Sequence, residues 1–194
     1  MAMLNDRSSL PAYFATRRSG KPRDLVAPGP SDEQLRDMIT MASRTPDHGK
    51  LAPWRFVIVP DEQREALATL IAGAYRAEKP EAGRLEIDAM LQFARQAPAL
   101  VVVLSTPRES HIPLWEQELS AGAATMNLLH AAHALGFAAG WLTGWATYSD
   151  TVRDAFGSAP ERLVGFVFIG TPSRELEERP RPALDDVLSV WQGA

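Results

Sequence analysis

Apolar positions along this chain recur at two periods, and the two divide it into helices and strands. Leu35, Met38, Ile39 and Ala42 fall at helical spacing. Ser31-Asp32-Glu33-Gln34 in front of them reads as a capping box, so a helix is predicted over 31–44, stopped by Pro46. Ser9-Leu10-Pro11 has the form of an N-cap followed by proline in the first turn, which predicts a short helix to about Thr16. Two stretches rich in Ala, Leu, Glu and Arg, 61–78 and 81–95, also read as helices. The longest predicted helix runs from about Pro113 to Leu135, with Gly136 as its C′ residue. It is crowded with small residues (Ser120, Ala121, Gly122, Ala123, Ala124, Ala131, Ala132, Ala134). Such a helix can approach a neighbour closely, so it belongs at the centre of the fold. Its length points to a subunit interface as well. A short capped helix is predicted over 149–156, ending at Gly157.

The strands read as compact apolar runs. Trp54 to Val59 is broken by Pro60-Asp61. Ala99 to Ser105 is continuously apolar until its last residue, as a central strand buried on both faces would be. Phe137 to Thr143 and Leu163 to Gly170 complete the set. Pro22 to Pro30 is a loop rich in Pro and Gly. The tail from Thr171 is rich in Pro and charge, yet Val187, Leu188, Val190 and Trp191 near its end are apolar. That contrast suggests docking, for example on a second subunit. With no internal repeat and no composition break, 1–194 is expected to form one domain.

Composition narrows the possible chemistry. The chain has 194 residues, enough for a sizeable core, with 45% hydrophobic and 23% charged residues. A net charge of −4 argues against a general nucleic-acid-binding surface. The absence of cysteine excludes disulfides, iron–sulfur clusters and thiolate zinc sites. Met1 to Pro11 has no apolar signal region, and no apolar run approaches ~18 residues, so neither a secretory leader nor a membrane span is expected. There is no Walker phosphate loop, no Gly-x-Gly-x-x-Gly, no His-Glu-x-x-His and no Gly-x-Ser-x-Gly elbow. Gly136, Gly140 and Gly144 repeat at a spacing of four, which reads as backbone crowding around a strand. His130 and His133 have a spacing that can hold a metal. With no carboxylate at i±4 from either, the plainer account is two ordinary helix histidines.

Three clusters point toward a common ligand. Arg17-Arg18-Ser19, with Lys21 and Arg23 close behind, offers bidentate guanidinium groups and a hydroxyl suited to phosphate; a solvated basic turn is the plainer account. Arg44-Thr45-Pro46-Asp47-His48-Gly49-Lys50-Leu51-Ala52-Pro53-Trp54 sets polar groups on a stiff path between helix and strand, as a binding loop or merely a rigid connector. Gly136-Phe137-Ala138-Ala139-Gly140-Trp141-Leu142-Thr143-Gly144 would let a flat ring approach the backbone, flanked by Trp141 and Leu142; alternatively its glycines serve strand packing.

Taken in order, these clusters resemble the nitroreductase family. The resemblance is carried by Arg17-Arg18-Ser19, the Pro46-Asp47-His48…Pro53-Trp54 loop and the helix start Trp115-Glu116-Gln117-Glu118-Leu119-Ser120-Ala121-Gly122. Leu135-Gly136-Phe137…Gly140-Trp141 and Val164-Gly165-Phe166…Gly170-Thr171-Pro172 extend it over about residues 10–172. The chain is most similar to the family's short bacterial branch. The resemblance implies an α+β fold, a mostly antiparallel central sheet flanked by helices, in an intertwined homodimer with FMN at the interface. It implies that Arg17, Arg18 and Ser19 hold the phosphate and ribityl chain and that Lys21 lies near the flavin pyrimidine edge. Arg44 and His48 would reach FMN from the partner subunit, and Trp141, Leu142 and Thr143 would line its opposite side. Arg181, in Arg179-Pro180-Arg181-Pro182, resembles a basic phosphate contact near the C-terminus of many members.

This sequence departs from the family in two places. Lys50 and Ala52 stand where many members carry Asn and Gln, and Leu142 and Thr143 stand where the nearest branch has Arg and Ser. A phosphate contact is therefore expected to move, for example to Arg181. The implied activity is transfer of hydride from NAD(P)H through FMN, by a ping-pong cycle, to nitroaromatic, quinone-like or other electron-poor small molecules in the cytoplasm. The flavin would carry the chemistry, so no catalytic side chain is expected; His48 could donate a proton to substrate, but it is assigned to binding. Another flavin reaction on the same fold (dehydrogenation, dehalogenation, flavin reduction) and a non-enzymatic flavin-binding protein remain as alternatives.

Overall fold

The computed structural model describes residues 3–193, which divide into two compact units. The smaller comprises the described residues up to Arg18 together with those from Glu175 onward. Helix α1 (Leu10–Thr16) begins at Ser9, whose side chain accepts from the Ala12 N–H as the Ser-Leu-Pro pattern predicts. The Asn5 side chain clamps the far end, donating to Arg18 O at 2.9 Å and accepting from Arg18 N at 2.7 Å. The C-terminal segment returns to the same place: Arg18 Nε donates to Glu177 O at 2.6 Å and Arg181 to Arg17 O at 3.1 Å. Beyond it, a helical turn spans Leu184–Val187. Val187, Leu188, Val190 and Trp191 are all exposed on the single chain.

The larger unit, Ser19–Arg174, is an antiparallel sheet with helices on both faces. Its strands are β1 (Leu25–Val26), β2 (Trp54–Val59), β3 (Ala99–Ser105), β4 (Ala138–Leu142) and β5 (Arg162–Pro172). β3 lies between β2 and β5, and β5 also pairs with β4 and, at its end, with β1; every pairing is antiparallel. All seven residues of β3 are buried, as its unbroken apolar run predicts. Because successive side chains point to opposite faces, β3 and β5 feed two cores. Leu100, Val102, Leu104, Phe166 and Phe168 pack with Leu67, Ile71 and Ala94 of α3 (Arg64–Glu78) and α4 (Arg84–Arg95). Val101, Val103, Val167 and Ile169 pack with Leu35 and Met38 of α2 (Asp32–Ala42) and with Leu128, Leu129 and Ala132 of α5 (Leu114–Ala134).

Local signals account for most element ends. Ser31 and Gln34 form the reciprocal capping box that starts α2. α5 closes in a Schellman motif: Gly136 at φ 93 donates to His133 O and Phe137 to Ala132 O. Two short elements differ from the sequence expectation. β1 lies inside the loop expected over 22–30 and exists through its pairing with Thr171 and Pro172. The helical turn α6 (Trp145–Tyr148) precedes α7 (Asp150–Asp154), where one helix is expected. Four residues cannot show a helical period, which is why α6 leaves no trace in the sequence.

Candidate functional site

The predicted site residues fall in both units, and each group stands on its own geometry. In the smaller unit, Arg17, Arg18 and Arg181 converge through the backbone contacts that bring residues 177–181 to the end of α1. Arg181 also pairs with Glu178 at 3.1 Å. Burial draws the Arg17 guanidinium below the ordinary arginine range; Tyr13 opposes that shift, and the positive charges of Arg181 and Arg18 add to it. Burial likewise pushes the Tyr13 hydroxyl up to about 12, against the pull of Arg17. Three guanidinium groups in one small region make a concentration of positive charge suited to an anion. The sequence places Arg17 and Arg18 side by side, and the fold brings Arg181, expected as a further phosphate contact from 164 positions away, against Arg17 O.

In the larger unit, the 44–54 loop is fastened along one face of α5. Asn127 Nδ2 donates to Thr45 Oγ1 at 2.6 Å, Ser120 Oγ donates to Pro46 O at 2.8 Å, and His48 Nδ1 meets Glu116 Oε2 at 2.7 Å. Spacings of four and seven residues put 116, 120 and 127 on one side of the helix. Within the loop Asp47 Oδ2 accepts the Ala52 N–H at 2.7 Å, and Gly49, Lys50 and Ala52 all have positive φ. For Lys50 and Ala52 that conformation is sparsely populated and is held by this surrounding network. Arg44 is exposed just beyond α2. Glu116, Ser120 and Asn127 are absent from the predicted site. An acidic residue in a first helical turn usually complements the helix dipole, and nothing in the sequence shows which residue α5 will face.

β4 is built differently from the cradle the sequence suggests. Gly20 N–H donates to Ala139 O at 2.9 Å, and a Cβ on Gly140 would lie 2.5 Å from Gly20 O. The open side of Gly140 is therefore taken by backbone and by Pro22, not left for a ring. The Trp141 indole packs in the core and donates to Val164 O at 3.1 Å, over Gly165, where a Cβ would lie 2.2 Å from Nε1. Leu142 packs into the other core, and Thr143 is exposed at the strand end. The Gly20–Ala139 contact sets half-buried Ser19 and Lys21 beside β4. Gly136 serves the helix end and Gly144, at φ 103, starts α6, so only the middle member of the four-residue glycine spacing reflects crowding. His133 is buried within α5, and among the described residues no group of three or more His, Asp or Glu is placed to hold a metal ion.

Comparison with known proteins places this architecture. The model of the nitroreductase family matches residues 15–171. The chain is 38% identical over 151 residues to the Escherichia coli K12 protein named "Putative NAD(P)H nitroreductase YdjA", covering 76% of this chain and 81% of that protein. It is 36% identical over 171 residues to a Haemophilus influenzae protein named "Putative NAD(P)H nitroreductase", covering 87% and 91%. Among solved structures, a nitroreductase-like family protein from Bacillus cereus superimposes with a TM-score of 0.78 at 21% identity, over 96% of this chain and 97% of that one. An FMN- and NADPH-dependent nitroreductase, NfnB from a sphigopyxis strain, superimposes with a TM-score of 0.71 at 22% identity, over 93% and 97%. At these identities the two structures attest the fold. The chain belongs to the nitroreductase family.

Proposed function

We propose that the protein is an FMN-dependent NAD(P)H oxidoreductase that works in the cytoplasm as a homodimer and reduces nitroaromatic, quinone-like or similar electron-poor molecules by a ping-pong cycle. The observation that carries this reading is the convergence of Arg17, Arg18 and Arg181. The donor chemistry fits the phosphate of FMN, since guanidinium forks match phosphate oxygens and carry the opposite charge. Ser19 adds a hydroxyl donor, and Lys21 supplies positive charge toward the flavin pyrimidine edge. Arg44 and His48, on the anchored loop, act on the FMN bound mainly by the other chain. Trp141, Leu142 and Thr143 contribute the end of β4, chiefly as a rigid wall, because the Trp141 ring is engaged in the core. When bound, the flavin would supply the hydride-transfer chemistry between a nicotinamide and the acceptor. The side chains bind, orient and balance charge.

The test begins with colour. Protein purified without added cofactor should show flavin absorption, and acid release followed by chromatography should give FMN rather than FAD. Anaerobic mixing with NADH or NADPH should then bleach the visible band. A colourless protein that takes up no added FMN would overturn the reading, and a yellow one that neither nicotinamide reduces would overturn its enzymatic part.

A further inference from the structure

Glu116 and His48 form a pair that core packing does not require. Their side chains are 43% and 61% exposed, and an ion pair in that setting contributes little to stability. The pair is nevertheless built with precision. The loop carrying His48 is tied to the same face of α5 by Ser120 and Asn127, and its backbone is held in positive-φ conformations on both sides of Lys50. His111, on the segment before α5, places its ring edge-on to His48 with centroids 6.4 Å apart.

A carboxylate only accepts hydrogen bonds, so the imidazole nitrogen facing it must carry the hydrogen. We propose that Glu116 is a positioning residue that locks His48 in its Nδ1–H tautomer, leaving Nε2 as the ring atom that meets bound ligand. Neutral, Nε2 accepts from an N–H or O–H of the cofactor or the reduced product. Protonated, it is the proton source for the acceptor. Two-electron reduction of a quinone-type acceptor consumes one hydride and one proton. Under the function proposed above, on which this part of the inference rests, the hydride comes from NAD(P)H by way of the flavin. The proton leaves Nε2 for the acceptor oxygen, and the exposed ring recovers it from solvent. Glu116 never exchanges a proton with the acceptor; its role is to decide which nitrogen does.

The tautomer can be read directly. Long-range proton–nitrogen NMR on full-length protein, above the pH at which the ring is charged, should show His48 protonated at Nδ1. Glu116→Gln should keep that form through its amide oxygen, and Glu116→Ala should shift it toward Nε2–H. Wild-type protein in the Nε2–H form, or an unchanged tautomer in Glu116→Ala, would overturn the inference. In stopped-flow, Glu116→Ala should slow the acceptor half-reaction by about tenfold or more, with Glu116→Gln restoring most of the rate. A shifted tautomer with an unaltered acceptor step would overturn the proton-delivery role. The NMR result does not depend on flavin or turnover, so failure of the proposed activity would be seen separately.

Discussion

Arg17 carries the heaviest demand of any single residue in the proposed site. It is partly buried, near Arg18 and Arg181, and its guanidinium is drawn below the ordinary range first by that burial. Groups perturbed in this way cluster where charge is put to use. Arg17→Ala removes one charge-assisted phosphate contact of roughly 1.5–3 kcal/mol. FMN affinity, followed by flavin fluorescence, should then fall about ten- to a hundred-fold or more, and an unchanged affinity would put the phosphate elsewhere. Tyr13 makes a separate prediction. Its hydroxyl titrates at about 12 in the folded chain, against 10.0 for an ordinary tyrosine. The folded state thus holds a proton that the unfolded state releases. Tyr13 contributes full stability below pH 10.0, and that contribution is lost as pH rises toward 12. Melting temperatures of Tyr13→Phe and wild type should therefore converge, or cross, over that interval; parallel curves would contradict the burial of the hydroxyl.

At the scale of elements, the sheet's tolerance is set by close approaches. Gly140→Ala would drive a methyl group to 2.5 Å from Gly20 O, a backbone atom that cannot swing aside. An overpacked site of this kind costs about 1–3 kcal/mol, visible as a lower urea midpoint with an unchanged slope. Arg64 is the opposite case, a buried charge with a structural task. It is 5% exposed, its Nη2 donates to Gln96 O and to Ala97 O beyond α4, and burial lowers its pKa to about 10. Arg64→Ala would leave those two carbonyls unpaired, at about 1–3 kcal/mol each, so the larger unit should lose several degrees of melting temperature; a neutral effect would mean water replaces the guanidinium. The sequence already announces the elements that depend on their own residues. The capping box of α2, the apolar run of β3 and the glycine after α5 each appear where local chemistry demands. Elements created by partners do not announce themselves: β1 exists through Thr171 and Pro172. The same division runs through the candidate site. Arg17, Arg18 and His48 are legible as motifs, whereas the Arg181 convergence and the Glu116 contact depend on long-range folding. At Gly140 the structure favours the alternative reading, strand packing, because its open side is filled by the Gly20 backbone and Pro22.

For the whole molecule, the proposed homodimer makes the most demanding prediction. Trp115, Leu119 and Ala123 are exposed at i, i+4 and i+8 of α5, an apolar stripe on a helix that buries Ala121, Ala124, Leu128 and Ala132 in the core. Val187, Leu188, Val190 and Trp191 of the tail are exposed as well, between 56% and 85%. Apolar residues concentrated in this way ordinarily mark contact with another chain. If two chains share each site, Arg17 and Ser19 of one act with Arg44 and His48 of the other. An Arg17→Ala chain and a His48→Ala chain, each defective alone, should then complement. In their heterodimer one site carries both lesions and the other carries none. Co-expression with two different tags, followed by tandem purification, should recover about half the wild-type FMN content and activity per dimer. Co-expression matters because an obligate interface of large apolar area exchanges chains slowly. Heterodimers that recover neither FMN nor activity would exclude the shared site, and a species sedimenting as a monomer at micromolar concentration while retaining FMN would exclude the dimer itself. Trp115→Glu distinguishes the two failures: a charge on the α5 stripe should dissociate the dimer and release FMN together if the sites are shared, and should leave FMN bound if each chain holds its own.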